Sequence, residues 1–141
     1  MVVRAEVLAE KLSALREATA RLQRLQSRDA TDEAVAWAIE RGLQIAAQAV
    51  FDTGNHLLAG AFSVRAADYS AVPELLHRHG VLTKALCDRL AGLAGFRNLL
   101  VHDYARVDIG RVRALLATRL QDFEDFATEV ESWLADAARD P

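Results

Sequence analysis

Leucine and other apolar residues recur every three or four positions along most of this 141-residue chain, and only two prolines interrupt the pattern. This spacing places apolar side chains on one face of an α-helix, and no stretch shows the period-two alternation that is typical of a half-buried strand. Helices are predicted over residues Arg4–Gln26, Thr31–Ala59, Glu74–His79, Thr83–Tyr104 and Arg111–Ala138. Four of them are long, so the sequence predicts an all-α fold, an up-down four-helix bundle with one additional short helix.

Residue types near the predicted helix ends support these boundaries. Asp32, or the Thr31 before it, can cap the second helix because a short polar side chain accepts a hydrogen bond from the first turn. Pro73 suits the first turn of the short helix and Gly80 suits its end. Asp108 is the expected cap of the last helix.

One domain covering residues 1–141 is the simplest arrangement, because a chain of this length can bury about two-thirds of its unfolded surface. Cys87 is the only cysteine, which excludes an intramolecular disulfide. No apolar run approaches the ~18 residues of a membrane span, and the first residues do not resemble a signal peptide, so a cytoplasmic location is expected. His77 and His79 lack further ligands that would complete a metal set, and neither a metal nor a cofactor is expected.

One face of the second predicted helix is polar but lacks the lysine and glutamate that solvated helix faces favour. At 100° per residue its members fall within about 120° of one another. They are Arg41, Gln44, Gln48, Asp52, Asn55 and His56, with Trp37 at the edge. Two interpretations remain open: the face forms hydrogen bonds to neighbouring helices, or it forms a subunit interface or the wall of a cleft.

The last predicted helix carries an acidic stripe of the kind that is typical of a solvated surface. Its members are Asp122, Glu124, Asp125, Glu129 and Glu131. The formal net charge of the chain is -3, which argues against a broad surface that coats nucleic acid. Any contact with RNA would therefore be confined to a small local site or shared between subunits.

Residues 96–104 end the apolar pattern of the fourth predicted helix and combine a fixed positive charge with an imidazole and a phenol. Arg97 can hold a phosphate by a two-pronged, charge-assisted hydrogen bond. His102 can transfer a proton near neutral pH. These two groups suffice to cleave RNA, because RNA carries its own nucleophile, the 2′-hydroxyl.

The same stretch also fits a structural interpretation, because an arginine near a helix C-terminus favours the helix dipole and nearby polar side chains can cap carbonyl groups. Five residues of an ideal helix turn through about 500°, which leaves Arg97 and His102 roughly 140° apart. They converge on one ligand only if the helix loosens or ends near residues 101–103, or if the ligand lies across that end. Asn98, four residues before His102, can orient the imidazole or touch the same phosphate.

The chain resembles the HEPN superfamily, and within it the HepT-like ribonuclease toxins. The likeness rests on residues 96–104, FRNLLVHDY, which match that family's pattern of arginine, four residues, histidine, any residue, tyrosine. A second stretch, from Glu40 to Leu58, is similar to the second helix of the family. The full motif at the end of a helix is more specific than an isolated pair of arginine and histidine.

The resemblance implies a HEPN fold and a metal-independent endoribonuclease that acts as a homodimer. By position, Arg97 and His102 would be the catalytic pair, and Asn98, Asp52 and Asn55 would be accessory residues. A two-fold dimer would bring two copies of the catalytic pair into one cleft and would concentrate positive charge there. Transfer RNA and messenger RNA both remain open as substrates.

The resemblance also implies a partner, a minimal nucleotidyltransferase antitoxin of the MntA type. In that family the partner transfers AMP from ATP to the motif tyrosine, here Tyr104, and silences the nuclease. AMP on this residue would place bulk and negative charge beside Arg97, in competition with RNA. Two alternatives stay open: a non-catalytic HEPN partner or substrate-recruiting subunit of a nucleotidyltransferase, and a helical interaction protein in which the motif only caps a helix.

Overall fold

The computed structural model describes residues 4–29, 31–102 and 109–139, and this part of the chain contains helices and turns but no strand. The elements are α1 (Ala5–Leu25), α2 (Glu33–Phe62), a 3₁₀ turn (Tyr69–Ala71), α3 (Val72–Arg78), α4 (Lys84–Leu90), α5 (Leu93–His102) and α6 (Ile109–Arg139). The predicted all-α fold is confirmed. The expected cap Asp108 and the motif residue Tyr104 lie outside the described residues.

α2 begins where the sequence predicts but ends later. Asp32 is the N-cap, and its carboxylate accepts a hydrogen bond from the backbone amide two residues on, at 2.9 Å. The predicted end at Ala59 is wrong, because the helix continues to Phe62 and stops at Ser63, whose φ of 54° is left-handed. The Phe62 ring stacks on His79 at 4.5 Å between ring centroids. This tertiary contact favours the three extra helical residues, 60–62, despite the low helix propensity of Gly60 among them.

The prediction of a continuous fourth helix is wrong, because the helix is broken at residues 91–92 into α4 and α5. α4 begins next to Thr83, the predicted start of the helix, and the Thr83 hydroxyl caps it by accepting a hydrogen bond at 3.3 Å from a backbone amide of the first turn. At the break, Gly92 lowers helix propensity. Arg119 of α6 donates to the Arg89 carbonyl oxygen at 3.2 Å, an acceptor that an unbroken helix would use itself. Over the described residues the bundle thus has three long helices, and α4 and α5 together replace the fourth.

The core lies between the three long helices and is closed by the short ones. Its largest fully buried side chains include Phe51 of α2 and both Phe123 and Phe126 of α6. Gly54 of α2 allows a close approach of α3, because a Cβ atom at this position would lie 2.5 Å from Cγ1 of Val72. The packing of α3 against α2 therefore depends on the absence of a side chain at Gly54.

Asp122 does not belong to a solvated acidic face, contrary to the prediction from the sequence. Its side chain is only 2% exposed, and its carboxylate lies 2.9 Å from the guanidinium of Arg89 and 3.5 Å from that of Arg119. Asp125 forms a second ion pair with Arg89 at 2.9 Å. Burial raises the pKa of Asp122, and the two positive charges oppose that shift. The cluster connects α4 to α6 next to the break that separates α4 from α5.

None of the helices in the described ranges is long and apolar enough to cross a membrane. His77 and His79 take part in packing: Nδ1 of His77 lies 2.9 Å from the carbonyl oxygen of Leu82, and His79 stacks on Phe62. Within residues 4–29, 31–102 and 109–139, no group of three histidine, cysteine, aspartate or glutamate side chains could hold a metal ion.

His56 of α2 is a titratable group through which the stability of the fold is expected to depend on pH. Its Nε2 atom is buried and has no hydrogen-bond partner in the part of the chain that the structure describes. Burial lowers the pKa of this imidazole from its ordinary 6.5, and the positive charges of Lys11 and Arg4 add to the effect. The unfolded chain then binds the proton more readily than the folded chain, so the free energy of unfolding is expected to fall as the pH decreases below 6.5.

Urea unfolding at about pH 7.5 and about pH 5.5 checks this expectation. The His56→Gln variant, which cannot titrate, should lose less stability between the two pH values than the unmodified chain. Equal losses in the two proteins would show that His56 does not contribute.

Candidate active site

Arg97 of α5 is held by side chains from three parts of the fold. Its Nε donates a hydrogen bond to Oε1 of Gln48 on α2 at 3.1 Å, and its Nη1 donates to Oδ1 of Asn98 at 3.3 Å. Its Cζ lies 5.4 Å from the centroid of the Tyr69 ring, within the range of a cation–π contact. None of these partners carries a negative charge, so they fix the position of the guanidinium without neutralising it.

Gln48 is the central residue of this arrangement. While its carbonyl oxygen accepts from Arg97, its Nε2 donates to Oδ1 of Asp52 at 2.9 Å and to the Tyr69 hydroxyl at 3.1 Å. The reverse orientation of the amide would set two donors against each other at Arg97 and two acceptors at Asp52. The hydrogen bonds therefore determine a single orientation of the Gln48 side chain.

Tyr69 is fixed by the 3₁₀ turn on one side and by the core on the other. The Asp68 carboxylate caps the turn, where it accepts hydrogen bonds from the Ala71 amide at 3.2 Å and from the Ser70 hydroxyl. The Tyr69 ring stacks on the fully buried Phe51 ring, with 4.7 Å between centroids and 4° between planes. The ring is thus a rigid support for the guanidinium of Arg97.

Gln44, one turn before Gln48, connects α2 to the C-terminal half of α5. Its Nε2 donates to the Leu100 carbonyl oxygen at 2.8 Å, and its Oε1 accepts from the Arg41 guanidinium at 3.2 Å. The carbonyl of Leu100 is among the last four of α5, which have no partner within the helix. The polar face of α2 therefore binds α5 through one side chain and one backbone contact.

An open groove of about 460 Å³ runs along this polar face. We call it the α2–α5 groove, and its lining residues are Ala14, Arg41, Gln44, Ile45, Gln48, Ala49, Asp52 and Arg97. Arg41 and Gln48 are seven residues apart on α2, a rise of about 10 Å. The groove lining therefore combines two guanidinium groups and one carboxylate with two amides, two alanines and Ile45, a composition suited to a chain of phosphates.

Three residues named as accessory from the sequence have different positions. Asn98 is exposed and contacts Arg97 directly. Asp52 is exposed, lines the α2–α5 groove and is connected to Arg97 through Gln48. Asn55 is partly buried and takes no part in these hydrogen bonds. The structure therefore brings Asn98 and Asp52 together with Arg97, and it leaves Asn55 outside the network.

His102 is described only through its backbone, and Tyr104 lies outside the described residues. α5 remains helical through His102. Over the five residues from Arg97 an ideal helix turns by about 500°, so the two positions lie on different faces of α5. The helical geometry of α5 in one copy of the chain therefore does not place Arg97 and His102 on the same side.

Tyr69 was not predicted from the sequence to be part of a site, and no particular role was predicted for Gln48. Gln48 was recognised only as a member of the polar face of α2. For that face the structure supports two of the predicted interpretations, hydrogen bonds to α5 and the 3₁₀ turn as well as the wall of a groove. A cap-forming aspartate directly before Tyr69 was the local signal that this connecting segment is ordered.

A family model described as "Ribonuclease HepT-like" matches residues 9–130. The chain belongs to the HepT-like ribonuclease family. It is 31% identical over 96 residues to a "tRNA nuclease HepT" of Aphanizomenon flos-aquae, covering 67% of this chain and 65% of that protein. It is 23% identical over 137 residues to an "mRNA nuclease HepT" of Shewanella oneidensis, covering 90% of this chain and 98% of that protein.

Solved structures of HepT-like and HEPN proteins share the fold. The cytosolic protein YutE of Bacillus subtilis superposes with a TM-score of 0.85, covering 96% of this chain and 93% of that chain, at 23% identity. A tri-AMPylated HEPN toxin of Shewanella oneidensis, in complex with an MNT antitoxin, superposes with a TM-score of 0.82 at 23% identity, covering 92% and 99%. The predicted HEPN fold is therefore confirmed.

Proposed function

We propose that this chain is a metal-independent endoribonuclease, the toxin of a HEPN and minimal nucleotidyltransferase pair. The observation that carries the proposal is the Arg97 guanidinium, held at the wall of an open groove by two amide oxygens and an aromatic ring. By contrast, Arg89 forms ion pairs with Asp122 and Asp125, so its charge is neutralised by residues that stabilise the fold. An arginine whose contacts to the described residues are all neutral keeps its charge on that side for a phosphate.

The reaction that suits these groups is attack of the RNA 2′-hydroxyl on the adjacent phosphorus atom. A new O2′–P bond forms, the P–O5′ bond breaks, and the products are a 2′,3′-cyclic phosphate and a 5′-hydroxyl. One proton leaves the 2′-hydroxyl and another is delivered to the departing O5′. We assign the stabilisation of negative charge on the phosphate to Arg97 and the proton transfer to His102. No step requires a metal ion.

We propose further that the active form is a homodimer that pairs at the face formed by α2 and α5. Among the described residues, the exposed large apolar side chains are Trp37 (67% exposed) and Ile45 (37%) on α2 and Leu99 (38%) on α5. All three lie on the two helices that hold the Arg97 network, and burial against a second copy would remove them from water. Because Arg97 and His102 lie on different faces of α5, a second copy can supply the missing group to each site.

The Ile45→Glu variant is expected to convert the dimer into a monomer, because a carboxylate would be buried in an apolar contact. Size-exclusion chromatography with light scattering should then show a fall from twice the chain mass to once. Ala59→Glu adds the same charge at an exposed position near the end of α2 and should remain dimeric. A dimeric Ile45→Glu protein would show that this face is not the interface.

Asn98 and Asp52 are proposed as accessory residues, because one contacts Arg97 directly and the other contacts it through Gln48. Asn55 is proposed as an accessory residue only by its place in the stretch that resembles the second helix of the family, since no hydrogen bond among the described residues connects it to Arg97. Transfer RNA and messenger RNA are both proposed as substrates, since the two HepT relatives are named for one and the other. A cytoplasmic location is proposed with them.

Regulation by AMPylation is proposed from the likeness to a toxin that is AMPylated and bound to an MNT antitoxin. We propose Tyr104 as the acceptor and an MntA-type nucleotidyltransferase as the partner. Intact-mass measurement after co-expression with such an enzyme should show additions in steps of one adenylate. The Tyr104→Phe variant should lack them, and unchanged additions in that variant would assign the modification to another residue.

A non-catalytic HEPN subunit is the alternative function. It would bind a nucleotidyltransferase and leave both classes of RNA intact. Tight binding of that partner, together with no RNA cleavage under any ionic condition, would replace the nuclease proposal by this one.

A further inference from the structure

We infer that Gln48 and Tyr69 are positioning residues for Arg97, a socket that fixes which edge of the guanidinium is presented to RNA. The inference rests on the proposed function and extends it to two residues outside the Arg97–Tyr104 motif. Gln48 and Tyr69 come from α2 and from the 3₁₀ turn, while Arg97 comes from α5. The socket therefore exists only in the folded chain.

The hydrogen bonds of the socket leave the Arg97 guanidinium one edge with which it can donate two hydrogen bonds to a phosphate. A guanidinium can offer either its Nε and one Nη, or both Nη atoms, to a pair of phosphate oxygens. The Nε hydrogen of Arg97 is used by Gln48 at 3.1 Å. Among the described residues, the Nη atoms have one further hydrogen-bond partner, because Nη1 donates to Oδ1 of Asn98 at 3.3 Å. The socket thus selects the end-on edge for the phosphate.

Tyr69 and Gln48 also restrict each other, which makes the socket rigid. The Tyr69 ring is stacked on Phe51 at 4.7 Å, and its hydroxyl accepts a hydrogen bond from Gln48 at 3.1 Å. A reversed Gln48 amide would set its NH₂ group against the Nε–H donor of Arg97 and its oxygen against the Asp52 carboxylate. An arginine held in this way loses less side-chain freedom when RNA binds, which favours both binding and the geometry of the reaction.

The test measures single-turnover cleavage of bulk transfer RNA and of a transcribed messenger RNA in EDTA. Gln48→Leu is expected to slow cleavage about tenfold to a hundredfold, because a displacement of about 1 Å can have that effect. The matched control is Gln121→Leu, since Gln121 also donates to an aspartate four residues later, at 2.9 Å, but on an exposed part of α6. Tyr69→Phe keeps the ring and should lose less activity than Tyr69→Leu.

The Arg97→Lys variant separates positioning of the Arg97 side chain from a contribution of Gln48 to the stability of the fold. Lysine has no Nε–H group that could donate to Gln48 in the same geometry. In that background Gln48→Leu should slow cleavage less than about threefold further. An equal loss in both backgrounds, or equal rates for Gln48→Leu and Gln121→Leu, would overturn the inference. A wild-type chain that leaves RNA intact would instead refute the proposed nuclease.

A spectroscopic measurement tests the socket without any activity. The Nε–H group of Arg97, identified by its loss in Arg97→Lys, should give a slowly exchanging signal in ¹⁵N-resolved NMR spectra. That signal should become fast-exchanging in Gln48→Leu and stay unchanged in Gln121→Leu. An Arg97 signal that exchanges rapidly in the unmodified protein would show that no socket forms.

Discussion

Replacement of Arg97 by alanine is expected to slow RNA cleavage by at least about a thousandfold while the helical fold is retained. Loss of a single charge-stabilising donor in an active site commonly has an effect of this order. Arg97 is only partly buried, and its partners within residues 4–29, 31–102 and 109–139 are the Gln48 amide, the neighbouring Asn98 and the face of the Tyr69 ring. Its removal should therefore affect stability little compared with its effect on the reaction.

The matched control is Arg78→Ala, which removes an exposed arginine that forms an ion pair with Glu74 at 2.9 Å within α3. Cleavage rates and melting temperatures of the two variants should be compared under the same conditions. If Arg97→Ala keeps cleavage within tenfold of the unmodified chain, Arg97 is not the group that stabilises the phosphate. If it unfolds, the structural interpretation of this arginine gains support.

Replacement of Asp122 by alanine is expected to lower the free energy of unfolding by about 3 kcal/mol. The carboxylate is 2% exposed and is shared by Arg89 at 2.9 Å and Arg119 at 3.5 Å. Without it, the two guanidinium groups repel each other, and Arg119, which is 16% exposed, is left with a largely buried charge. Denaturant unfolding monitored by circular dichroism measures the difference.

The corresponding control is Asp88→Ala, because Asp88 forms an ion pair with Lys84 at 2.8 Å on an exposed surface. Such a pair is worth at most about 1 kcal/mol, so this variant should unfold close to the unmodified chain. Equal destabilisation by the two substitutions would show that the Asp122 cluster does not stabilise the fold beyond a surface ion pair.

The long helices could be predicted from the sequence because their apolar periodicity and the Asp32 cap are local signals. The break between α4 and α5 could not, because Gly92 alone does not determine a break, and the contact of Arg119 with the Arg89 carbonyl oxygen comes from a distant segment, α6. The position of Asp122 was mispredicted for a related reason. An acidic stripe indicates a solvated surface unless another element brings guanidinium groups to it, and the sequence does not show which residues α4 places there.

Within the candidate site, Arg97 and the polar face of α2 were predicted, since motif spacing and helical periodicity reveal both. Tyr69 was missed because its role depends on stacking against Phe51 and on the distance to Gln48, two contacts between segments far apart in the chain. The roles of His102 and Tyr104 stay predictions.

The most direct measurement is incubation of the purified chain with bulk transfer RNA and a transcribed messenger RNA in excess EDTA, followed by analysis of the RNA ends. The proposed function leads to cut RNA with 5′-hydroxyl and 2′,3′-cyclic phosphate ends from the unmodified chain, and to intact RNA from Arg97→Ala and His102→Ala. Intact RNA in every sample, or cleavage that appears only after Mg²⁺ is added, would contradict it.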